Sequence, residues 1–144
     1  MKTDQKTLSD VNITYDKFYT DDTGKHIPQV FSAINQSLIS IKSFWGGSID
    51  AFYKHDNPCC FTCLTGDLRI VTATEQLEED KYKFSQYFIS GLDGKVINLP
   101  AQKWFGIHNL SNNISIAMFS CACDNGDMWD KLSHKIFNWN SKKS

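Results

Sequence analysis

What most constrains this chain is its punctuation. Short runs rich in β-branched and aromatic residues are broken roughly every 8 to 14 residues by turn chemistry at "DDTGK", "GG", "DNP", "TGD", "GLDG" and "LSNN". Each breaker holds residues that tolerate positive φ or favour turns. The spacing predicts an all-β protein with strands at "VNITYDKFY", "IPQVFSAIN", "SLISIKSFW", "IDAFYKH", "CCFTCL", "DLRIVTAT", "YKFSQYFIS", "KVINLP", "WFGIHNL" and "ISIAMFSCAC". The stretches "CLTGDLRIV" and "ISGLDGKVINLP" read as the two clearest hairpins. A single domain is expected, since 144 residues suffice to bury about 70% of the unfolded surface around one core. About ten short strands without a Cys-Trp-Cys immunoglobulin pattern favour a closed barrel or jelly roll, which is to say a cup.

Two segments depart from this rhythm. Residues 1–10 are polar and read as an N-terminal extension. Within 124–140, "DNGDMWDKLSHKIFNWN" puts Trp129, Leu132, Ile136 and Phe137 on one face at helical spacing, with Asp124 or Asp127 as a cap, and predicts a short C-terminal helix.

Composition then excludes several classes of function. The formal net charge is -1, with basic residues spread along the chain. That gives no electrostatic footprint for a phosphate backbone, so nucleic acid is not an expected partner. No run approaches the roughly 20 apolar residues that a bilayer demands, and the N-terminus lacks a secretory apolar stretch. A cytoplasmic protein with no membrane partner is expected. Five cysteines are an odd number, which argues for reduced thiols over a disulfide framework. Cys60 and Cys63, with Cys121 and Cys123, imitate a zinc set. On a strand, however, Cys60 and Cys63 point to opposite faces, whereas Cys59 and Cys63 share one, so buried packing is favoured and no metal is expected.

The chemistry-bearing residues gather in "SIDAFYKHDNPCCFTCLTGDLRIV", residues 48–71. Tyr53 and His55 lie two apart on a predicted strand and therefore share a face. A neutral imidazole and a phenol suit proton transfer beside a ketone, with His55 as base and Tyr53 as acid, and Asp50 or Asp56 can orient the ring. Arg69 is the only arginine among 15 basic residues, so it alone can offer a phosphate a guanidinium fork. Lys42, Lys54 and Lys103 add point charges. Trp45, Phe52, Trp104 and Phe105 could wall a sugar or base inside the cup, and His108 lies close by in sequence. Against each stands a plainer reading: aromatics in strands are usually core, and a histidine at a strand end is often solvated.

Three blocks resemble the dTDP-4-dehydrorhamnose 3,5-epimerase family, the RmlC-like cupins that epimerise or isomerise nucleotide-linked 4-keto sugars. They are "DDTGKHIPQVF", the central "SIDAFYKHDNPCCFTCLTGDLRIV", and "INLPAQKWFGIHNLS". The similarity runs from about residue 20 to 122. In it Tyr53 and His55 fall on the two histidines of the family's central motif, Trp104 and Gly106 match the later block, and Phe105 stands where that block has histidine. The resemblance implies an RmlC-like jelly roll, a cofactor-independent sugar epimerase or ketoisomerase of surface polysaccharide synthesis, and a two-fold homodimer. It implies a nucleotide sugar as ligand, for which the residue chemistry above offers Trp45, Arg69, Lys103 and Trp104 as binding residues, with His108 as the candidate to replace the histidine lost at Phe105. The alternative is a catalytically silent cupin that holds carbohydrate or serves assembly.

Overall fold

The computed structural model describes residues 10–32, 38–76, 81–121 and 129–140. Twelve strands are present among them: β1 (Asn12–Tyr15), β2 (Tyr19–Asp21), β3 (Gly24–His26), β4 (Leu38–Phe44), β5 (Ile49–His55), β6 (Cys59–Thr65), β7 (Asp67–Gln76), β8 (Lys81–Ser90), β9 (Lys95–Leu99), β10 (Trp104–Asn109), β11 (Ser115–Cys121) and β12 (Trp129–Lys131). Two five-stranded antiparallel sheets, ordered β1-β9-β6-β11-β4 and β12-β5-β10-β7-β8, pack face to face, and β2-β3 forms a separate ribbon. This is the all-β jelly roll that the turn spacing predicts. No helix among the described residues is long and apolar enough to cross a membrane.

Alternation sorts the side chains into three layers. Phe44, Phe61, Leu68, Ile70, Ile97, Leu99, Phe105 and Ile107 point from both sheets into a shared interior. Outside the second sheet, Phe52, Val71, Ala73 and Trp104 are covered by Leu132, Ile136, Phe137 and Trp139 of the C-terminal segment. Outside the first sheet, Cys60 and Val96 are covered by Phe31.

Four sequence expectations change. Neither expected hairpin is one: β6 lies in one sheet and β7 in the other, as do β8 and β9. The glycine turns are corners that carry the chain across the sandwich. At the first, Gly66 has φ +96 and a Cβ would lie 1.9 Å from the Ser115 hydroxyl, so the sharp crossing admits no larger residue. The run "IPQVF" is not a strand. The buried Asp16 carboxylate accepts the amides of Phe31 at 2.8 Å and Ser32 at 3.0 Å, and this local capping competes with ladder formation while Phe31 plugs the outer face.

The expected C-terminal helix is also absent from the described part of 124–140. Residues 129–131 pair with β5, Leu132 and Phe52 exchange both backbone hydrogen bonds at 2.9 Å, and one 3-10 turn follows at His134–Ile136. Here an unpaired sheet edge overrides helical periodicity: pairing satisfies the N–H and C=O groups of β5, and the same apolar residues still reach the sheet. Residues 1–9 and 124–128 of the two terminal segments lie outside the described residues. Finally, Cys59 is disulfide-bonded, against the expectation of reduced thiols, while Cys60 and Cys63 are free and buried. Burial pushes both free thiols up to about 12, which makes them packing groups.

Candidate active site

Tyr53 and His55 do face the interior. The pairing of β5 with β10 matches Tyr53 to Phe105 and Asp50 to Ile107, three steps on one strand against two on the other. One extra residue is thereby bulged from β5. The bulge sends Ala51 and Phe52 to the outer cluster and brings Asp50 and Tyr53 onto the same inner face. The Tyr53 hydroxyl donates to Asp50 Oδ1 at 2.5 Å. From the opposing sheet, Lys42 sits opposite Ala117 on the inner face of β4 and forms an ion pair with Asp50 Oδ2. The hydrogen bond to Asp50, aided by burial, pushes the Tyr53 phenol up to about 12, because the anionic partner favours the protonated form. Lys131 on β12 adds a second ammonium 5.7 Å from the Tyr53 ring centroid.

His55 is 3% exposed beside the "DNP" turn. Its Nδ1 accepts the Asn57 amide at 3.0 Å, much as an Asx side chain closes a turn. A backbone N–H can only donate, so the neutral ring carries its proton on Nε2. Neither expected orienting carboxylate holds Nδ1: Asp50 takes Tyr53, and Asp56 accepts from Gln102 Nε2 at 2.6 Å.

Around these groups the cup wall is aromatic. Phe61 packs against Phe105 at 5.2 Å and edge-on to Phe119 at 5.1 Å, and Tyr53 lies 6.3 Å from Phe105. Farther along the same sheet, Tyr87 hydrogen-bonds Thr72 and Ser85, and its phenol is raised by burial and by Asp10. Lys103 reaches this rim, donating to Thr74 at 2.8 Å with Asp10 at 4.0 Å.

The other expected binding residues are elsewhere. Trp45 is 74% exposed in the turn between β4 and β5. Trp104 and Phe52 belong to the outer cluster and do not line the cup. Arg69 and His108 are register partners on that same outer face. Arg69, 3% exposed, donates to the Trp139 carbonyl at 2.6 Å, to His108 Nδ1 at 2.8 Å and to Gln86 at 3.1 Å, with its guanidinium 5.6 Å from the Trp139 ring. It thus pins the C-terminal segment to the sheet. Burial, then Arg69, lowers the His108 pKa. The strand alternation that places Leu68 and Ile70 inside sends Arg69 out, a signal that was available in the sequence. The Asp50–Tyr53 contact was not so readable, because without the bulge two residues three apart would face opposite ways.

At the far end of the sandwich a cavity of about 440 Å³ opens between Asp67, Phe88, Asp93, Lys95 and Leu110. Its Asp93 is spent on turn amides, accepting from Lys95 at 2.9 Å and Ser90 at 3.2 Å. Among the described residues no group of three or more His, Cys, Asp or Glu side chains converges as a metal site.

No family model and no curated protein matches the sequence. Solved structures do match by shape. A dTDP sugar isomerase from Desulfovibrio desulfuricans G20 aligns over 94% of both chains at TM-score 0.77 and 11% identity. A dTDP-4-dehydrorhamnose 3,5-epimerase from Sulfolobus tokodaii covers 92% of this chain and 82% of its own at TM-score 0.72 and 14% identity. The Legionella pneumophila RmlC, solved with dTDP-4-keto-L-rhamnose, covers 86% and 73% at TM-score 0.70 and 14% identity. In fold, this chain is similar to these dTDP-sugar isomerases and epimerases.

Proposed function

We propose that the protein is an enzyme of the sugar epimerase or isomerase type, acting by proton transfer on a nucleotide-linked 4-keto sugar. One observation carries the reading: β5 delivers Tyr53, Asp50 and His55 to one wall of an aromatic-lined cup, with a lysine facing them from the other sheet. Both reactions begin alike. A base takes the proton from the carbon beside the ketone, the C–H electron pair becomes a C=C bond, and the carbonyl pair moves onto oxygen as an enolate. Tyr53, held protonated by its carboxylate partner, supplies the acid. His55, with its proton on Nε2, acts as a neutral hydrogen-bond donor toward the enolate oxygen and not as the base that the sequence suggested. Lys131 and Lys103 supply the cations for the diphosphate, since Arg69 is committed to the outer face and Lys42 to Asp50.

A role in surface polysaccharide synthesis belongs to the same reading and rests on the resemblance; the cytoplasmic location expected from the apolar patterning belongs to it as well. A two-fold homodimer has a structural motive. β4 is an edge strand whose outer face exposes Ile39 at 55% and Ile41 at 63%, and pairing two such edges removes both the open ladder and the apolar patch.

The test is incubation with a dTDP-4-keto-6-deoxy sugar in deuterated water, followed by NMR of the ring carbons beside the ketone. Deuterium incorporation or carbonyl movement, slowed about 100-fold in His55→Ala, is expected. An unchanged substrate after hours at high protein concentration would move the assignment to a silent, carbohydrate-holding cupin.

A further inference from the structure

At the mouth of the cup the chain crosses between its two sheets. β9 ends at Leu99 in the first sheet, β10 begins at Trp104 in the second, and residues 100–103 make the crossing. Beside it, Asp56, Asn57 and Pro58 turn the chain from the end of β5 to Cys59 at the start of β6. We infer that Gln102 is a positioning residue for His55: from the neighbouring crossing it holds the turn that fixes the imidazole. This rests on the role given to His55 above, that of hydrogen-bond donor to the enolate oxygen.

Backbone geometry singles Gln102 out. Its φ is +66, in the left-handed region where a Cβ crowds the neighbouring carbonyl and glycine or asparagine is the ordinary occupant. A glutamine stays in that conformation only where surrounding contacts hold it. Two such contacts are present. The Gln102 backbone amide donates to the His55 carbonyl at 2.8 Å, and its side-chain Nε2 donates to Asp56 Oδ1 at 2.6 Å. One residue thus grips two successive residues at the end of β5.

The grip reaches the ring through the turn. His55 Nδ1 accepts the Asn57 amide at 3.0 Å, and that bond keeps the imidazole proton on Nε2. The Asn57 carbonyl lies 3.4 Å from the same nitrogen and is the acceptor that the other tautomer would use. Which tautomer the ring adopts is therefore set by which Asn57 group the turn presents. Asp56 stands between His55 and Asn57 in the chain, so holding its carboxylate holds the orientation of the Asn57 peptide. In the other tautomer Nε2 is an acceptor and offers nothing to an enolate oxygen. Loss of the Gln102 side chain then removes an interaction made with charge that develops in the transition state, and leaves substrate binding in place. Gln102 and Asp56 are exposed whereas His55 is buried, so their contact can be altered without opening the core.

Imidazole NMR on the full-length protein tests the placement, and kinetics test its consequence. The chain has 4 histidines, and His55→Gln assigns the His55 signals in long-range proton–nitrogen spectra. The wild-type ring is expected to carry its proton on Nε2 with Nδ1 as acceptor. Gln102→Gly suits the left-handed φ and keeps the backbone bond, so its melting temperature should stay within about 2 °C, yet His55 should average between tautomers. With a dTDP-4-keto-6-deoxy sugar, kcat should fall about 10- to 100-fold while KM changes by less than about 2-fold. Gln102→Glu alone sets two carboxylates face to face and should lose at least as much; combined with Asp56→Asn it rebuilds the contact with donor and acceptor exchanged, and should restore both tautomer and kcat. A wild-type ring protonated on Nδ1, an unchanged His55 signature in Gln102→Gly, or a folded double variant that restores nothing would overturn the assignment. So would a raised KM with kcat unchanged. A wild type that leaves the sugar untouched would remove the enzyme reading alone, and the imidazole signature would still decide what Gln102 does.

Discussion

Tyr53 joins the fold to its proposed chemistry at the scale of a single residue. Its hydroxyl is bound to the Asp50 carboxylate, and that contact, with burial behind it, raises its pKa to about 12. The sign follows from linkage. A phenol raised above its unfolded value of about 10 stabilises the fold fully below that pH, and the contribution is lost as pH climbs through the folded value. Near-ultraviolet titration is expected to find one tyrosine ionising about 2 units above the ordinary range, returning toward about 10 in Asp50→Asn. A wild-type titration indistinguishable from that variant would remove the contact on which the acid role depends. Asn109 shows a purely structural counterpart at the other end of the sandwich. Fully buried, it donates to the carbonyls of Phe44, Trp45 and Asn113 and accepts from Ser111 and Ser115, knitting three turns with one side chain.

The C-terminal segment shows at the scale of elements how local pattern and tertiary demand divide the work. The apolar spacing of Leu132, Ile136 and Phe137 correctly marks a buried face, but the edge of β5 takes the segment as strand and 3-10 turn. The strands themselves were largely legible, since period-2 alternation and glycine turns bound most of them within a few residues. Their partners were not. A "TGD" or "GLDG" turn reads the same whether it closes a hairpin or turns a corner between sheets, and only packing of two apolar faces decides. Arg69 and His108 fix the segment in place, and His108 makes that attachment sensitive to pH. Burial and the neighbouring guanidinium lower its pKa, so protonation favours the unfolded chain: stability is full above the unfolded pKa of about 6.5 and declines as pH falls below it. The melting temperature should therefore drop between about pH 7.5 and 5.5, and drop less in His108→Gln. An equal decline in both proteins would clear His108 of the effect.

The whole molecule places its polar chemistry at one rim of the cup and its lone arginine on the outside. The sequence resemblance led to the fold, and shape comparison bears that out at identities of 11 to 14%. It did not lead to the ligand residues. Of the seven named candidates, Tyr53 and His55 on β5 and Lys103 at the rim lie where a cup ligand can be reached, while Trp104, Arg69 and His108 serve the outer face and Trp45 an exposed turn. For Asp50 and Tyr53 the missing information was the bulge in β5, which leaves no local mark; for Arg69 the alternation with Leu68 and Ile70 was there to be read, but not which sheet face the C-terminal segment covers. The exposed edge at β4 bears on assembly: Ile41→Lys should convert a sedimenting dimer to monomer with the fold intact, because a buried unpaired ammonium opposes the interface. A wild-type protein that sediments as a monomer would refute the pairing.

The central claim is the location of the site. Titration of isotope-labelled protein with dTDP, followed through backbone amide resonances, tests it most directly. Shifts gathered on Ile41–Lys42, Asp50–His55, Phe105 and Phe119 are predicted, with the Arg69–His108 face and the Asp67–Lys95 cavity unmoved; shifts centred on either of those two places, with the β5 wall silent, would contradict the account.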